Sequence, residues 1–187
     1  TPATDGKRVF AFYSSNDLAC FDLDGNLEWL RGLAYESPTT RNDVGMSSSP
    51  IVWGNLVIVQ LENQGASFAA GIDTDTGTDV WRIDREADAA WCSPVILPGR
   101  TAEDDLLILQ SRSSITANDP KTGRQVWQYE TSPHTIASCT TSGDSVYLPA
   151  NGLHRIRFES AGGGEVLWGE RRLRGDNASP VVDGDKA

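Results

Sequence analysis

The stretch GIDTDTGTDVW, Gly71 to Trp81, sets three acidic residues, Asp73, Asp75 and Asp79, around a single glycine, Gly77. It admits two readings. One is a D-x-D-x-G-x-D calcium loop; the other is a strand end, a tight turn and a second strand. Three further segments end the same way: FDLDGNLEW at Trp29, NDPKTGRQVW at Trp127 and FESAGGGEVLW at Trp168. The four tryptophans recur at intervals of 52, 46 and 41 residues, and a glycine stands four residues before each: Gly25, Gly77, Gly123 and Gly164. An acidic residue precedes each glycine: Asp22, Asp73, Asp119 and Glu159. The turn persists where its acids vanish, because the Trp127 copy carries Lys121 and Arg124. The twelfth position of the would-be calcium loop is Asp84, not the glutamate that closes an EF-hand. Gly71–Trp81 is therefore read as the corner of a repeat, and no metal site is expected at Asp73, Asp75 and Asp79.

A second landmark keeps the same phase. TPATDG opens at Thr1, SSPIVWG at Ser48, CSPVILPG at Cys92 and ASPVVDG at Ala178, with prolines Pro2, Pro50, Pro94 and Pro180. In CTTSGDSVYL, Thr140 or Thr141 fills the proline's place. Between the landmarks lie short aliphatic and β-branched runs: RVFAFYS, NLVIVQL, DLLILQS and SVYLPA, then LACFDL, FAAGID, ITANDP and LHRIRF. Such runs bounded by polar and glycine-bearing stretches read as strands and hairpins. Four strands per unit of roughly 40–50 residues match a propeller blade.

The recurring residues have physical reasons. A four-stranded sheet this small cannot bury its faces alone, so sheets must stack. A tryptophan on the outermost strand fills the space between neighbours. Glycine allows the positive φ of a tight turn. Aspartate at the strand end accepts hydrogen bonds from the turn's own N–H groups, and proline suits a strand start, where no ladder donor is needed.

Composition narrows the function classes. The net charge of −10 over 187 residues disfavours nucleic acid, which needs a basic face, and no apolar run is long enough to span a bilayer. The chain lacks an initiator methionine and a secretory apolar segment, and reads as trimmed. Cys20, Cys92 and Cys139 lie far apart and are read as small buried hydrophobes, with one disulfide left open. No zinc, P-loop or G-x-S-x-G pattern occurs.

The S-P start followed by D-x-x-T-G-x-x-x-W resembles the PQQ-like (quinoprotein-type) β-propeller repeat. The match runs through Asp73, Thr76, Gly77 and Trp81, and through Asp119, Thr122, Gly123 and Trp127. The first unit has Asp24 where the threonine belongs, and the last keeps Gly164 and Trp168. The resemblance implies an all-β propeller of four-stranded antiparallel blades: four blades plus the start of a fifth, part of a seven- or eight-bladed ring. Expected blades are 1–47, 48–91, 92–137, 138–176 and a partial 177–187. The family has a cofactor-free, BamB-like scaffold branch and a branch that oxidises alcohols or sugars with pyrroloquinoline quinone and calcium. The enzyme branch shows adjacent cysteines near the quinone, and this chain has none. The resemblance therefore favours a non-catalytic, protein-binding scaffold in the periplasm or another extracytoplasmic space. A quinone-dependent dehydrogenase fragment is the alternative. Expected partners are another protein, the remaining blades, or a second copy completing the ring.

Propeller ligands meet the loops at one rim. The segments entering the innermost strands place Arg41, Asn42, Asp43, Asp88, Trp91, His134, Arg174, Asp176 and Asn177 there as binding candidates, with none assigned a catalytic role. His154 is expected on the polar face of its strand. The run Glu170–Arg174 is expected to be a solvated loop.

Overall fold

The computed structural model describes residues 1–37, 45, 47–159 and 163–183, and Arg41, Asn42 and Asp43 lie outside them. Among the described residues sixteen strands form four antiparallel sheets of four, each in simple chain order. The first holds β1 (Ala3–Thr4), β2 (Arg8–Phe12), β3 (Asp17–Asp22) and β4 (Leu27–Gly32). The second holds β5 (Ile51–Trp53), β6 (Leu56–Leu61), β7 (Ser67–Asp73) and β8 (Asp79–Arg85). The third holds β9 (Val95–Leu97), β10 (Leu106–Gln110), β11 (Ser114–Asn118) and β12 (Gln125–Glu130). The fourth holds β13 (Thr140–Ser142), β14 (Ser145–Ala150), β15 (Gly152–Phe158) and β16 (Gly164–Glu170). A single helical turn, α1 (Leu33–Glu36), follows β4.

The chain forms two compact units, one of Thr1–Pro94 with the turn tip Lys121–Gly123, the other of Val95–Pro120 with Arg124–Ala187. Each has its own core. The first packs Phe10, Leu18, Val57, Val59, Phe68 and Ile72 together; the second packs Ile108, Ile115, Val146, Leu148, Ile156 and Phe158. Strands β6, β7, β10 and β11 are buried almost throughout, whereas the outermost strands are half exposed. This gradient is why the central strands read as unbroken apolar runs.

Each repeated tryptophan stands on the outermost strand, facing Cys20, Gly71, Ala117 or Arg155 of the strand beside it. In all four sheets the register slips by one residue immediately beside that pair. A bulge of this kind bends the strand and re-aims a side chain. Here it turns the indole toward the following turn. A Cβ added at Gly77 would lie 2.9 Å from the Trp29 ring, one at Gly123 2.6 Å from Trp81, and one at Gly164 2.7 Å from Trp127. Trp29 also donates its indole N–H to the Thr74 carbonyl at 3.1 Å. Gly77, Gly123 and Gly164 are thus the seats of Trp29, Trp81 and Trp127.

Gly77 and Gly123 also have φ of +70° and +72°, a region other residues enter at a cost. Gly164 departs from the expected turn role. It belongs to β16, opposite Phe158, and its φ is not positive; it is small only because Trp127 leaves no room. The aspartates behave as expected: Asp73 Oδ1 accepts from the N–H of Asp75 and Thr76 at 3.1 and 2.8 Å, and Asp22 Oδ1 from those of Asp24 and Asn26 at 2.9 and 2.8 Å. These donors hold both carboxyls below the usual carboxylate range, the Asn26 side chain leading at Asp22 and the Thr76 N–H at Asp73.

The prolines precede β1, β5 and β9 directly. By register, Thr140 opposite Tyr147 matches Ile51 opposite Ile58. The residue in the proline's place is therefore Cys139, not Thr140 or Thr141.

Candidate functional site

The residue before each proline makes a connection that the prolines alone do not reveal. The Thr1 nitrogen donates to Ser49 Oγ at 2.9 Å, the Ser49 N–H to Ser93 Oγ at 2.9 Å, and the Ser138 N–H to Ser179 Oγ at 3.0 Å. A hydroxyl at this position links one innermost strand to the start of the next. Residues Ser179 and Pro180 thereby sit beside β13, and Thr140 Oγ1 donates to the Pro180 carbonyl at 2.7 Å.

The loops that return from outermost to innermost strands form the candidate rim. In the second unit, residues 131–139 are clasped by Gln110, which is fully buried at the end of β10. Its Nε2 donates to the carbonyls of His134 and Ala137 at 2.5 and 2.9 Å, and its Oε1 accepts the Cys139 N–H at 2.9 Å. Gln60 occupies the matching position in β6 and is also buried. A glutamine interrupting an otherwise apolar strand, in phase in two repeats, was the sequence signal for this clasp. His134 braces the same loop. Its Nδ1 accepts the N–H of Ile136 and of Ala137 at 3.2 and 3.1 Å, so that nitrogen carries lone-pair density rather than a proton. His134 acts there as a loop brace.

Three of the candidates in this unit converge. His134, Arg174 and Asp176 line a shallow cleft of about 150 Å³ with Asn151 and Gly152. The Arg174 guanidinium donates to Asn151 Oδ1 at 3.4 Å and to the Arg171 carbonyl at 3.2 Å. Asp176 adopts φ of +48°, and Asn177 is exposed beside it. The basic run is solvated, as expected, and Arg172 pairs with Glu170 at 3.2 Å. In the first unit Asp88 caps the Ala89 N–H at 2.8 Å, and the Trp91 indole donates to the Gly45 carbonyl at 2.9 Å. Asp88 is thus tied within its own loop, and Trp91 to the return loop that precedes β5.

The three acids of the opening stretch do not share a focus. Asp73 is turned into its own turn, Asp75 pairs with Arg8, and Asp79 lies 3.1 Å from Arg31 Nη1. Among the described residues no group of three His, Cys, Asp or Glu side chains could hold a metal ion. A second cleft of about 480 Å³, missed in the sequence, lies at the opposite end of the fourth sheet. Arg100, Asp144, Arg157 and Phe158 line it, and Arg157 is engaged by Glu165 at 2.7 Å.

The cysteines are buried and unbridged. Burial pushes the thiols of Cys20 and Cys139 up to about 12, which leaves them protonated and unreactive. His154 corrects an expectation. Residues 154, 156 and 158 share one face of β15, because side chains alternate with period two. That face is the packed one, so His154 lies half-buried, 6.2 Å from the Tyr129 ring and against Gly169. Its Nδ1 is buried without a hydrogen-bond partner. Burial lowers its pKa below the ordinary 6.5. A depressed imidazole pKa means that the unfolded chain binds the proton first, so stability is full above about pH 6.5 and falls as pH drops through the folded value. The thermal midpoint should decline between about pH 7 and pH 5 in the parent protein, and less in His154→Phe. Parallel pH profiles for the two proteins would rule this out.

Among curated proteins none matches the chain. Solved structures share the fold. BamB from Moraxella catarrhalis superposes with a TM-score of 0.66 at 18 % identity, over 90 % of this chain and 48 % of that one. A quinohemoprotein alcohol dehydrogenase from Comamonas testosteroni gives 0.61 at 13 %, over 87 % and 34 %. A europium-containing methanol dehydrogenase gives 0.58 at 15 %, over 93 % and 40 %. The chain therefore spans half or less of the length of these structures. A family model described as outer membrane protein assembly factor BamB matches residues 1–187. With four four-stranded antiparallel sheets, recurring indole seats and a match along its whole length, the chain belongs to the PQQ-like β-propeller repeat family.

Proposed function

We propose that this chain is a non-catalytic scaffold that docks a protein partner on the rim loops of its second unit, in an extracytoplasmic compartment. The observation that carries the reading is the use of two side chains near the rim, His134 and Cys139. His134 Nδ1 is spent on two backbone amides, and Cys139 is buried and protonated. What remains exposed is a cleft with a guanidinium, a carboxylate and an amide, Arg174, Asp176 and Asn151, on a loop frame clasped by Gln110. Such a set suits polar contacts to a polypeptide rather than bond making. The likeness to an outer-membrane assembly factor makes a component of outer-membrane protein assembly the partner class.

The alternative is quinone-dependent alcohol oxidation, the chemistry named by two of the structural relatives. Pyrroloquinoline quinone with calcium would supply the redox step. The acids Asp73, Asp75 and Asp79 do not fit its metal, since two are paired with arginines and the third with turn amides. A photo-crosslinker at position 174 should trap one discrete outer-membrane assembly protein in living cells, and one at the exposed Tyr35 should not. Saturable, stoichiometric binding of pyrroloquinoline quinone with calcium, read by absorbance, would overturn the scaffold reading in favour of the enzyme.

A further inference from the structure

The inner hairpins of the repeat are not alike. In the second sheet Trp53 pairs with Leu56 across a tight turn, Gly54 and Asn55. In the fourth, Ser142 pairs with Ser145 across Gly143 and Asp144. In the third, Leu97 pairs with Leu106, and the whole of residues 98–105 stands between them. This insertion is folded. Its 3₁₀ turn, Ala102–Asp104, starts with the Asp104 N–H donating to the Thr101 carbonyl at 3.0 Å. Thr101 Oγ1 donates to Asp104 Oδ2 at 3.0 Å, and Asp105 Oδ1 accepts the Gly99 N–H at 2.8 Å. Yet no residue of the 3₁₀ turn is buried. Ordering a loop costs conformational entropy, and here no core packing offsets it. Insertions in single repeats of an array map to loops on one face, often the binding face.

The insertion builds one wall of the cleft of about 480 Å³. Arg100 and Asp104 stand on that wall; Asp144 and Glu159 face it from the β13–β14 turn and from just beyond β15. Half-buried Leu106 lines the space between. Arg157 also lines it, but its charge is engaged by Glu165 at 2.7 Å. That leaves Arg100 against three exposed carboxylates. Asp144 and Glu159 lie 4.0 Å from Arg155 and Arg157, the outer limit of an ion pair. We propose that this cleft is a binding site for a basic segment of a polypeptide, with lysine or arginine stems along Leu106 and their charged heads among Asp104, Asp144 and Glu159. Such side chains pair an apolar stem with a wet cationic head, and the net charge of −10 steers cations toward the chain. The cleft lies at the other end of the fourth sheet from the rim loops, so the inference stands whatever docks there.

Calorimetric titration of the 187-residue chain with a capped pentapeptide of alternating leucine and arginine should show one saturable site that weakens as salt is added. The same peptide with glutamate in place of arginine should not bind. Replacing residues 98–105 by Gly-Asn, the turn of the second sheet, removes the wall. Asp144→Asn with Glu159→Gln removes charge while keeping the wall. Each should weaken binding about tenfold or more, the effect of losing a central contact, with the parent circular dichroism and unfolding midpoint retained. Asp24→Asn with Glu130→Gln takes the same charge from exposed positions outside the cleft and should leave the affinity unchanged. Absence of saturation, equal binding of the glutamate peptide, or binding that survives both the turn replacement and the paired substitution overturns the proposal. An equal loss in the Asp24, Glu130 variant also overturns it, because net charge alone would then account for the binding.

Discussion

Trp81→Ala should destabilise the chain by about 3–5 kcal/mol, the upper range for aromatic truncation in a core, and Trp168→Ala by about 1 kcal/mol or less. The two residues stand at the same place in the repeat and differ in what surrounds them. Trp81 is 8 % exposed. Beneath it lies Gly71, where a Cβ would come within 2.3 Å of the indole nitrogen, and above it lies Gly123. Both walls are backbone held in sheet and turn hydrogen bonds, so the site cannot collapse into the space that the indole leaves. A cavity that stays open costs the lost contacts in addition to the lost burial. Trp168 is lined on one side only, and its removal leaves no cavity. Gly123→Ala approaches the same contact from the other partner. It should cost about 2–4 kcal/mol, combining a strained left-handed backbone with overpacking against Trp81. Gly54→Ala is the control: it shares the positive φ but has nothing within 4 Å, so only the backbone contribution of about 1 kcal/mol should appear. Guanidinium unfolding midpoints at dilute protein measure all four. Equal losses for Trp81→Ala and Trp168→Ala would remove packing against the next turn as the reason for the repeat.

The architecture was legible because its determinants are local. Strand, turn and indole follow one another within about ten residues, and the period-two and turn rules act at that range. What escaped depends on partners far along the chain. The serine before each proline looks like a neutral linker until its hydroxyl meets an amide 44 residues away, as Ser93 meets Ser49. Gly164 shares the spacing of the other turn glycines, yet its reason is Trp127 and not its own φ. His154 is readable from parity, because the period-two alternation it shares with Ile156 and Phe158 places it on the packed side despite its polarity. The rim candidates were legible as a group only in part. Loop position brings His134, Arg174 and Asp176 to one cleft, but it does not reveal that the imidazole Nδ1 accepts from Ile136 and Ala137.

Glu62→Ala should be as damaging as the loss of Trp81, at about 3–5 kcal/mol, because it breaks a buried ion pair from one side. Glu62 follows β6 directly, with its side chain 1 % exposed and that of Arg85, its partner from the end of β8, 7 % exposed. Arg85 Nε donates to Glu62 Oε1 at 2.8 Å, and Gln60 Nε2 donates to the same oxygen at 3.0 Å. The Glu62 carbonyl also accepts the Ala90 N–H at 3.3 Å. One residue thus ties a central strand, the outermost strand and the return loop that carries Asp88 and Trp91. Removing the carboxylate takes the 2.8 Å ionic contact from a guanidinium that stays buried, and that loss is not recovered from solvent. The double substitution Glu62→Leu, Arg85→Met removes both charges and should lie within about 1–2 kcal/mol of the parent, since apolar replacements of buried pairs are often near neutral. A double-mutant cycle then gives a coupling energy of about 2–3 kcal/mol, and amide exchange at Ala90 should accelerate in the single variant alone. Additive losses in the cycle would mean that the two side chains contribute separately, and the return loop would have to owe its position to something other than this pair.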